Sequence, residues 1–227
     1  MKYRDKLSKS IYYIKKHGVF ALFALVVKII FFRFYQTKFK YSAGLYLGRR
    51  FKITGKNNIT LGDNFRAGES LRLEAIGEYG EQIFAPSIDI GENVTFNDFV
   101  HIGCVESIKI GNNVLLASKI FITDHNHGCY SADEVSLHQS PEIPPADRNL
   151  SCSPVCIEDN VWIGEFVSVL PGSFIGRGSI VGANSVVNGY IPEYSIAVGS
   201  PARVVKTYDH NKKLWLAVPS VQLDNIE

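Results

Sequence analysis

Methionine occurs once in the 227-residue chain, and charged residues make up 20% of it, while Gly and Pro number 19 and 9. That balance argues against a helical bundle, which wants few backbone breakers and more Leu and Met. No CxxC pair exists among the four cysteines (Cys104, Cys129, Cys152, Cys156), so a reduced, cytoplasmic protein is expected. A long uncharged apolar run is missing too. From Gly18 to Tyr35 the chain is almost continuously apolar, but Lys28 and Arg33 interrupt it. The stretch before Lys28 falls far short of the roughly 20 residues a spanning helix needs. A mid-helix Lys would also cost about 2.5–3.5 kcal/mol. No small-residue cleavage site follows the run, so a signal peptide is not expected. Finally, acid is nearly absent from the first 50 residues, where twelve Lys and Arg face Asp5 alone, a balance of +11, so the remainder carries −9. A basic, aromatic head precedes an acidic body.

What is present is enough for a folded body, since 46% of residues are hydrophobic. From Ile157 every sixth residue is aliphatic: Ile157, Ile163, Val169, Ile175, Val181, Val187. The same period runs through Ile90, Phe96, Ile102 and Ile108, then slips by two residues to Ile110, Leu116 and Ile122. Gly follows the aliphatic at Gly62, Gly91, Gly103, Gly111, Gly164, Gly176 and Gly182, and Asn precedes a β-branched residue at Asn93-Val94, Asn113-Val114 and Asn160-Val161. This pattern predicts an all-β solenoid. Very short strands each turn one aliphatic inward, Gly or Asn supplies the backbone freedom at each corner, and three hexads close a triangular coil. Inward side chains of successive coils stack, so no single coil buries its own core.

The expected organisation is a helical N-terminal segment over residues 1–44, a β-helix domain over 45–206 and a C-terminal tail over 207–227. One insertion, residues 128–154 with Pro141, Pro144 and Pro145, breaks the period, and a loop of that length in a solenoid is usually functional. The head is read as an amphipathic element that caps the body or lies on a membrane face.

The runs IEDNVWIGEFVSVLPGSFIGRGSIVGANSVV (157–187) and IPEYSIAVGSPARVVK (191–206) resemble the hexapeptide-repeat acyltransferases, nearest to the galactoside, maltose and polysaccharide O-acetyltransferases. The resemblance covers roughly residues 50–206. It implies a left-handed parallel β-helix, an exception to the right-handed crossover rule. It also implies a homotrimer with acetyl-CoA bound between neighbouring subunits, and no required metal.

Acetyl transfer to a hydroxyl needs a base, and His is suited to it because its ordinary pKa lies near working pH. In the resembled enzymes the catalytic His lies five residues past the aliphatic that follows a VLIAP-like segment. Here VLLASKI (114–120) and Ile122 lead to His127, with His125 two residues before it to orient a substrate or the loop. The resemblance carries Asn97 and Trp162 over as acceptor contacts. Where it expects an acidic contact the chain has Val105, with Glu106 beside it. Gly164, Gly182, Ala183 and Ser200 are expected along the pantetheine groove, and Arg203 and Lys206 at the nucleotide phosphates.

The expected activity is acetyl transfer from acetyl-CoA to a saccharide, in surface polysaccharide or O-antigen modification. The basic, aromatic residues 1–40 favour a peripheral position on the inner face of the cytoplasmic membrane, where a lipid-linked acceptor would be met. Two alternatives stand beside it: a small soluble acceptor, and a carbonic-anhydrase-like zinc site built from His101, His125 and His127. No base-reading motif accompanies the basic head, so no nucleic-acid partner is expected.

Overall fold

The computed structural model describes residues 18–20, 23, 26–27, 43–130 and 140–218. The chain folds as two units, Met1–Tyr41 and Ser42–Glu227. In the first, Val19, Phe20, Phe23, Val26 and Val27 are helical, and the rest of the expected helical segment lies outside the described residues. Among the described residues no helix is long and apolar enough to cross a membrane.

The second unit is a parallel β-helix of triangular section. Its first sheet stacks Tyr46–Leu47, Arg66–Ala67, Thr95–Phe96, Leu115–Leu116, Trp162–Ile163, Ile180–Val181 and Ser195–Gly199. The second stacks Lys52–Thr54, Arg72–Ala75, His101–Cys104, Phe121–Thr123, Ser168–Val169 and Val186–Val187. The third runs from Ile59–Leu61 through Ser87–Ile90, Ser107–Ile110, Val155–Ile157 and Phe174–Ile175 to Tyr190–Ile191. The hexad aliphatics are the core: Leu116, Ile163 and Val181 lie in one column, and Ile102, Ile122, Val169 and Val187 in another, each at most 1% exposed. Burying each such side chain contributes about 1.5–3 kcal/mol. Where Ala67 pairs with Phe96, the space beside the small residue is filled by Phe65, packed edge-on to Phe96 at 5.0 Å.

Each inward aliphatic is accompanied by a second inward residue two positions earlier, as in Ile120/Ile122 and Ile108/Ile110. This is why both registers of the period find a place. The slip between Ile102 and Ile110 is an enlarged corner at Val105–Glu106, between the second and third sheets.

The corners follow the expected chemistry in part. Asn64, Asn93, Asn113 and Asn160 adopt φ of 55–60°. Phe99 and Phe166 do the same at φ 60° and 58°. The left-handed region costs an ordinary L-residue about 1–2 kcal/mol, and a bond to the neighbouring coil helps offset it: Phe99 N donates to Glu69 O at 2.8 Å, Phe166 N to Ser118 O at 3.2 Å. The glycines after the aliphatics serve another need. At Gly62 a Cβ would collide with the carbonyl group of Gly91 in the next coil. Space between coils, rather than positive φ, excludes a side chain there.

Two features differ from the sequence reading. The second coil carries a further insertion, a hairpin of strands Glu78–Tyr79 and Gln82–Ile83. It breaks the period between Leu73 and Ile88 with only Gly77, Gly80 and Pro86 as signals. The stretch read as a tail from residue 207 begins inside strand Ala202–Asp209, which pairs antiparallel with Ser195–Gly199 and with Leu214–Ala217 and so extends the first sheet. Alternating residues such as Tyr208 and Trp215, packed at 5.2 Å, hold that last hairpin.

Candidate active site

The expected site residues fall into two groups on opposite sides of the prism. The first is at the corner between the second and third sheets. After Phe121–Thr123 the chain leaves the coil as strand His125–His127, pairs antiparallel with Leu150–Cys152, and returns at Val155–Ile157. The insertion is therefore a β-ribbon at its base, and its residues 131–139 lie outside the described residues.

Asp124 anchors this corner. Its carboxylate is fully buried and accepts from the amides of Val105 (2.9 Å), Glu106 (2.8 Å) and Ser107 (2.9 Å), the enlarged corner of the coil below, and from Cys104 Sγ at 3.2 Å. His125 Nδ1 lies 3.0 Å from the same carboxylate. Burial alone would raise the Asp124 pKa, but the His125 contact and the amide bonds outweigh it and hold the carboxyl below its usual range. The same burial and carboxylate push the Cys104 thiol far up.

His125 is largely covered, 14% of its side chain being exposed, and its ring edge lies over Gly103 beside His101. His101 Nε2 is 3.2 Å from Glu74, a carboxylate that Lys52 and Arg72 also hold at 2.9 Å and 2.6 Å. Burial pushes against ionisation of Glu74, yet these partners bring its pKa down to about 2. His127 is exposed. Its Nδ1 meets the Tyr79 hydroxyl at 3.1 Å, its Nε2 has no partner among the described residues, and its carbonyl accepts from Tyr130. Glu106 joins the group: its exposed side chain lies beside Cys152, the residue paired with His125 in the ribbon. Burial first, then that carboxylate, pushes the Cys152 thiol up to about 11.

The second group lies on the outer face of the first sheet. Asn97, Trp162, Gly164, Gly182 and Ala183 line a groove of ≈ 510 Å³, floored by Leu115, Ala117, Ile180 and Val181. Two of its glycines are held by close coil packing: a Cβ on Gly164 would meet Ala183 N at 2.7 Å, and one on Gly182 would meet Val198 Cγ1 at 2.7 Å. Trp162, half exposed, stands at its wall. Arg203 and Lys206 lie on the strand that continues this sheet, paired with Val198 and Ile196, and Ser200 is exposed in the turn before it.

Asn97 and Trp162, expected beside the acceptor, thus share the groove with the expected cofactor residues. Within one chain they do not meet His127, which leaves the prism at the corner facing away from that sheet. Tyr79 and Asp124 are the residues the sequence reading missed. Asp124 adjoins the His pair in sequence, so its carboxylate was available as a signal. Nothing in sequence links Tyr79 to His127. Among the described residues no three His, Cys, Asp or Glu side chains converge as a metal site requires, and His101 faces Glu74.

A triangular parallel solenoid of short hexad strands is the hexapeptide-repeat fold, and the chain belongs to the hexapeptide-repeat transferases on the similarities that follow. The family model described as bacterial transferase hexapeptide (six repeats) matches residues 157–189. The chain is 49% identical over 164 residues to WbbJ of Escherichia coli K12, named for O-acetyl transfer in lipopolysaccharide biosynthesis; the match spans 72% of this chain and 79% of that protein. It is 35% identical over 117 residues to the galactoside O-acetyltransferase of Lactococcus lactis subsp. lactis IL1403, spanning 48% of this chain and 51% of that one. A mutant of AntD, an N-acyltransferase from Bacillus cereus solved with dTDP and coenzyme A, superposes with a TM-score of 0.53 at 21% identity, over 75% of this chain and 85% of that one. The coil is accordingly a left-handed β-helix.

Proposed function

We propose that the protein is an acetyl-CoA-dependent O-acetyltransferase that modifies a saccharide of a surface polysaccharide or O-antigen. The single observation that carries this reading is the exposed His127 imidazole, whose Nε2 has no partner among the described residues, at a corner fixed by the buried Asp124 carboxylate. The 49% identity to WbbJ supports the substrate class. The bound thioester supplies the acyl group. His127 Nε2 takes the proton of the acceptor hydroxyl as its oxygen attacks, and returns it to the departing thiolate. His125 orients the ribbon or the acceptor through its bond to Asp124. Gly164, Gly182, Ala183 and Ser200 border the pantetheine path, with Arg203 and Lys206 toward the phosphates. Asn97, Trp162 and Glu106 serve the acceptor.

The separation of His127 from the groove of its own chain supports a homotrimer in which one subunit's histidine corner faces the first sheet of its neighbour. Thiol release from acetyl-CoA, screened against free oligosaccharides, nucleotide sugars and lipid-linked oligosaccharides, tests the activity. A saccharide acceptor is expected to turn over. Turnover confined to small amino sugars or drugs would replace the polysaccharide reading by the soluble-acceptor one.

The basic head supports a peripheral position on the cytoplasmic face of the membrane. Residues 1–40 combine Lys and Arg with Phe20, Phe23, Phe31, Phe32, Phe34 and Tyr35. Each Lys or Arg near an anionic leaflet contributes about 1 kcal/mol. Sedimentation with vesicles is expected to show binding that needs anionic lipid, weakens with salt and disappears when residues 1–40 are deleted. An intact protein that ignores anionic vesicles at low salt overturns the membrane position.

A further inference from the structure

We propose that Tyr79, carried on the hairpin inserted in the second coil, is the positioning residue that fixes which nitrogen of His127 bears the hydrogen. The inference rests on reading His127 as the base. The Tyr79 hydroxyl lies 2.6 Å from the carbonyl oxygen of Ala146 and 3.1 Å from His127 Nδ1. A carbonyl can only accept, so the single phenolic proton goes to Ala146. What the Tyr79 oxygen then offers His127 is a lone pair, and Nδ1 must bring the hydrogen to that contact. His127 is held as the Nδ1–H tautomer, and its lone pair is on Nε2.

That is the tautomer a base acting through Nε2 requires. An imidazole free in water prefers the opposite form, with hydrogen on Nε2. Through a catalytic cycle Tyr79 keeps its own proton: Nε2 gains one from the acceptor hydroxyl and gives it to the thiolate, while Nδ1–H stays on the Tyr79 oxygen. His125 is held in the same tautomer by a carboxylate, Asp124. His127 is held by a neutral hydroxyl instead.

The surroundings fix the contact on both sides. The two rings meet edge to face, with centroids 5.3 Å apart at 73°. Further along the hairpin, Gln82 donates to Leu150 O at 3.1 Å and accepts from Leu150 N at 2.6 Å. Leu150 is the residue paired with His127 in the ribbon. The hairpin is therefore clipped to the strand beside the base, and Ala146, in the insertion that follows His127, accepts the Tyr79 hydrogen bond through its carbonyl. Two interruptions of the hexad period, 48 residues apart at the Tyr79–His127 contact, act as one support.

Tyr79→Phe keeps the ring and removes the oxygen. Nitrogen NMR of the full chain with labelled histidine reads the tautomer without any ligand. The wild-type His127 is expected to show a protonated Nδ1 and a bare Nε2, and the variant to shift toward Nε2–H. With acetyl-CoA and O-antigen oligosaccharides as probes, kcat is expected to fall about 3- to 10-fold, the worth of one hydrogen bond, with KM for acetyl-CoA unchanged. An unchanged tautomer and an unchanged kcat in Tyr79→Phe overturn the proposal. His127→Ala in the same assays tests the underlying reading separately: full activity there removes the base, and leaves the tautomer result to stand on its own spectrum.

Discussion

Replacing His127 with alanine is expected to lower kcat by about 10²–10⁴-fold, the usual worth of a positioned general base. The fold should survive, because the imidazole is exposed and strand His125–His127 holds to Leu150–Cys152 through its backbone. Melting temperature and circular dichroism check that half of the expectation. The proposed sharing of the site between subunits adds a sharper test. His127→Ala subunits retain an intact groove, and Trp162→Ala subunits retain an intact base. Mixed and reassembled, they are expected to regain activity at interfaces that join a good base to a good groove. No recovery from the mixture, with each parent impaired, would confine the site to one subunit. Full activity in His127→Ala with loss in His125→Ala would transfer the base to the histidine whose Nδ1 already rests on Asp124.

The second large effect concerns Asp124 itself. Asp124→Asn substitutes an amide for one oxygen and turns N–H groups toward the amides of Val105, Glu106 and Ser107, donor against donor, in a fully buried site. Stability is expected to fall by about 3–5 kcal/mol, as when one partner of a buried charged network is removed. For a domain of this size that corresponds to a melting temperature lower by roughly 6–20 °C.

The pH dependence carries the same signature. The folded carboxyl titrates below its ordinary range, so its contribution is complete above the unfolded pKa of about 3.9 and is lost as pH falls through the folded value. Glu74, brought down to about 2, behaves alike in the wild type and the variant. Thermal melts are expected to show the wild type losing stability below about pH 4, with the gap to Asp124→Asn narrowing there. A gap that stays constant down to about pH 2.5 would mean that the carboxylate charge is not what the corner needs.

The architecture was legible because a solenoid repeats its physics. Every coil must bury its own aliphatic against the next, so the period of six is imposed on Ile157, Ile163, Val169 and their successors, and one chain position predicts another. The two-residue slip at Ile108–Ile110 was equally visible, though not its purpose, which is to present three amides to Asp124. His127 was reached only through the resemblance, which expects the base five residues past Ile122, and the structure puts that residue on the strand that leaves the coil. Corner chemistry was read in part: Asn93 and Asn113 adopt positive φ as expected, while Phe99 and Phe166 do so with the neighbouring coil's carbonyls in support.

Where the period breaks, the sequence stops constraining the answer. The hairpin at Glu78–Ile83 and the ribbon from His125 to Cys152 each have their own length and turn chemistry, so no repeat fixes which of their residues meet. Only the folded chain brings Tyr79 to His127 and Gln82 to Leu150. The division of Asn97 and Trp162 from His127 is likewise a tertiary fact. It follows from which side of a three-sided prism each residue faces, a property of the closed coil rather than of spacing along it. By itself the sequence determined the coil and its stack of aliphatics. The tertiary structure decided the rest: the carboxylate buried beneath the histidine pair, the hydroxyl that meets His127, and the opposite face on which the groove lies.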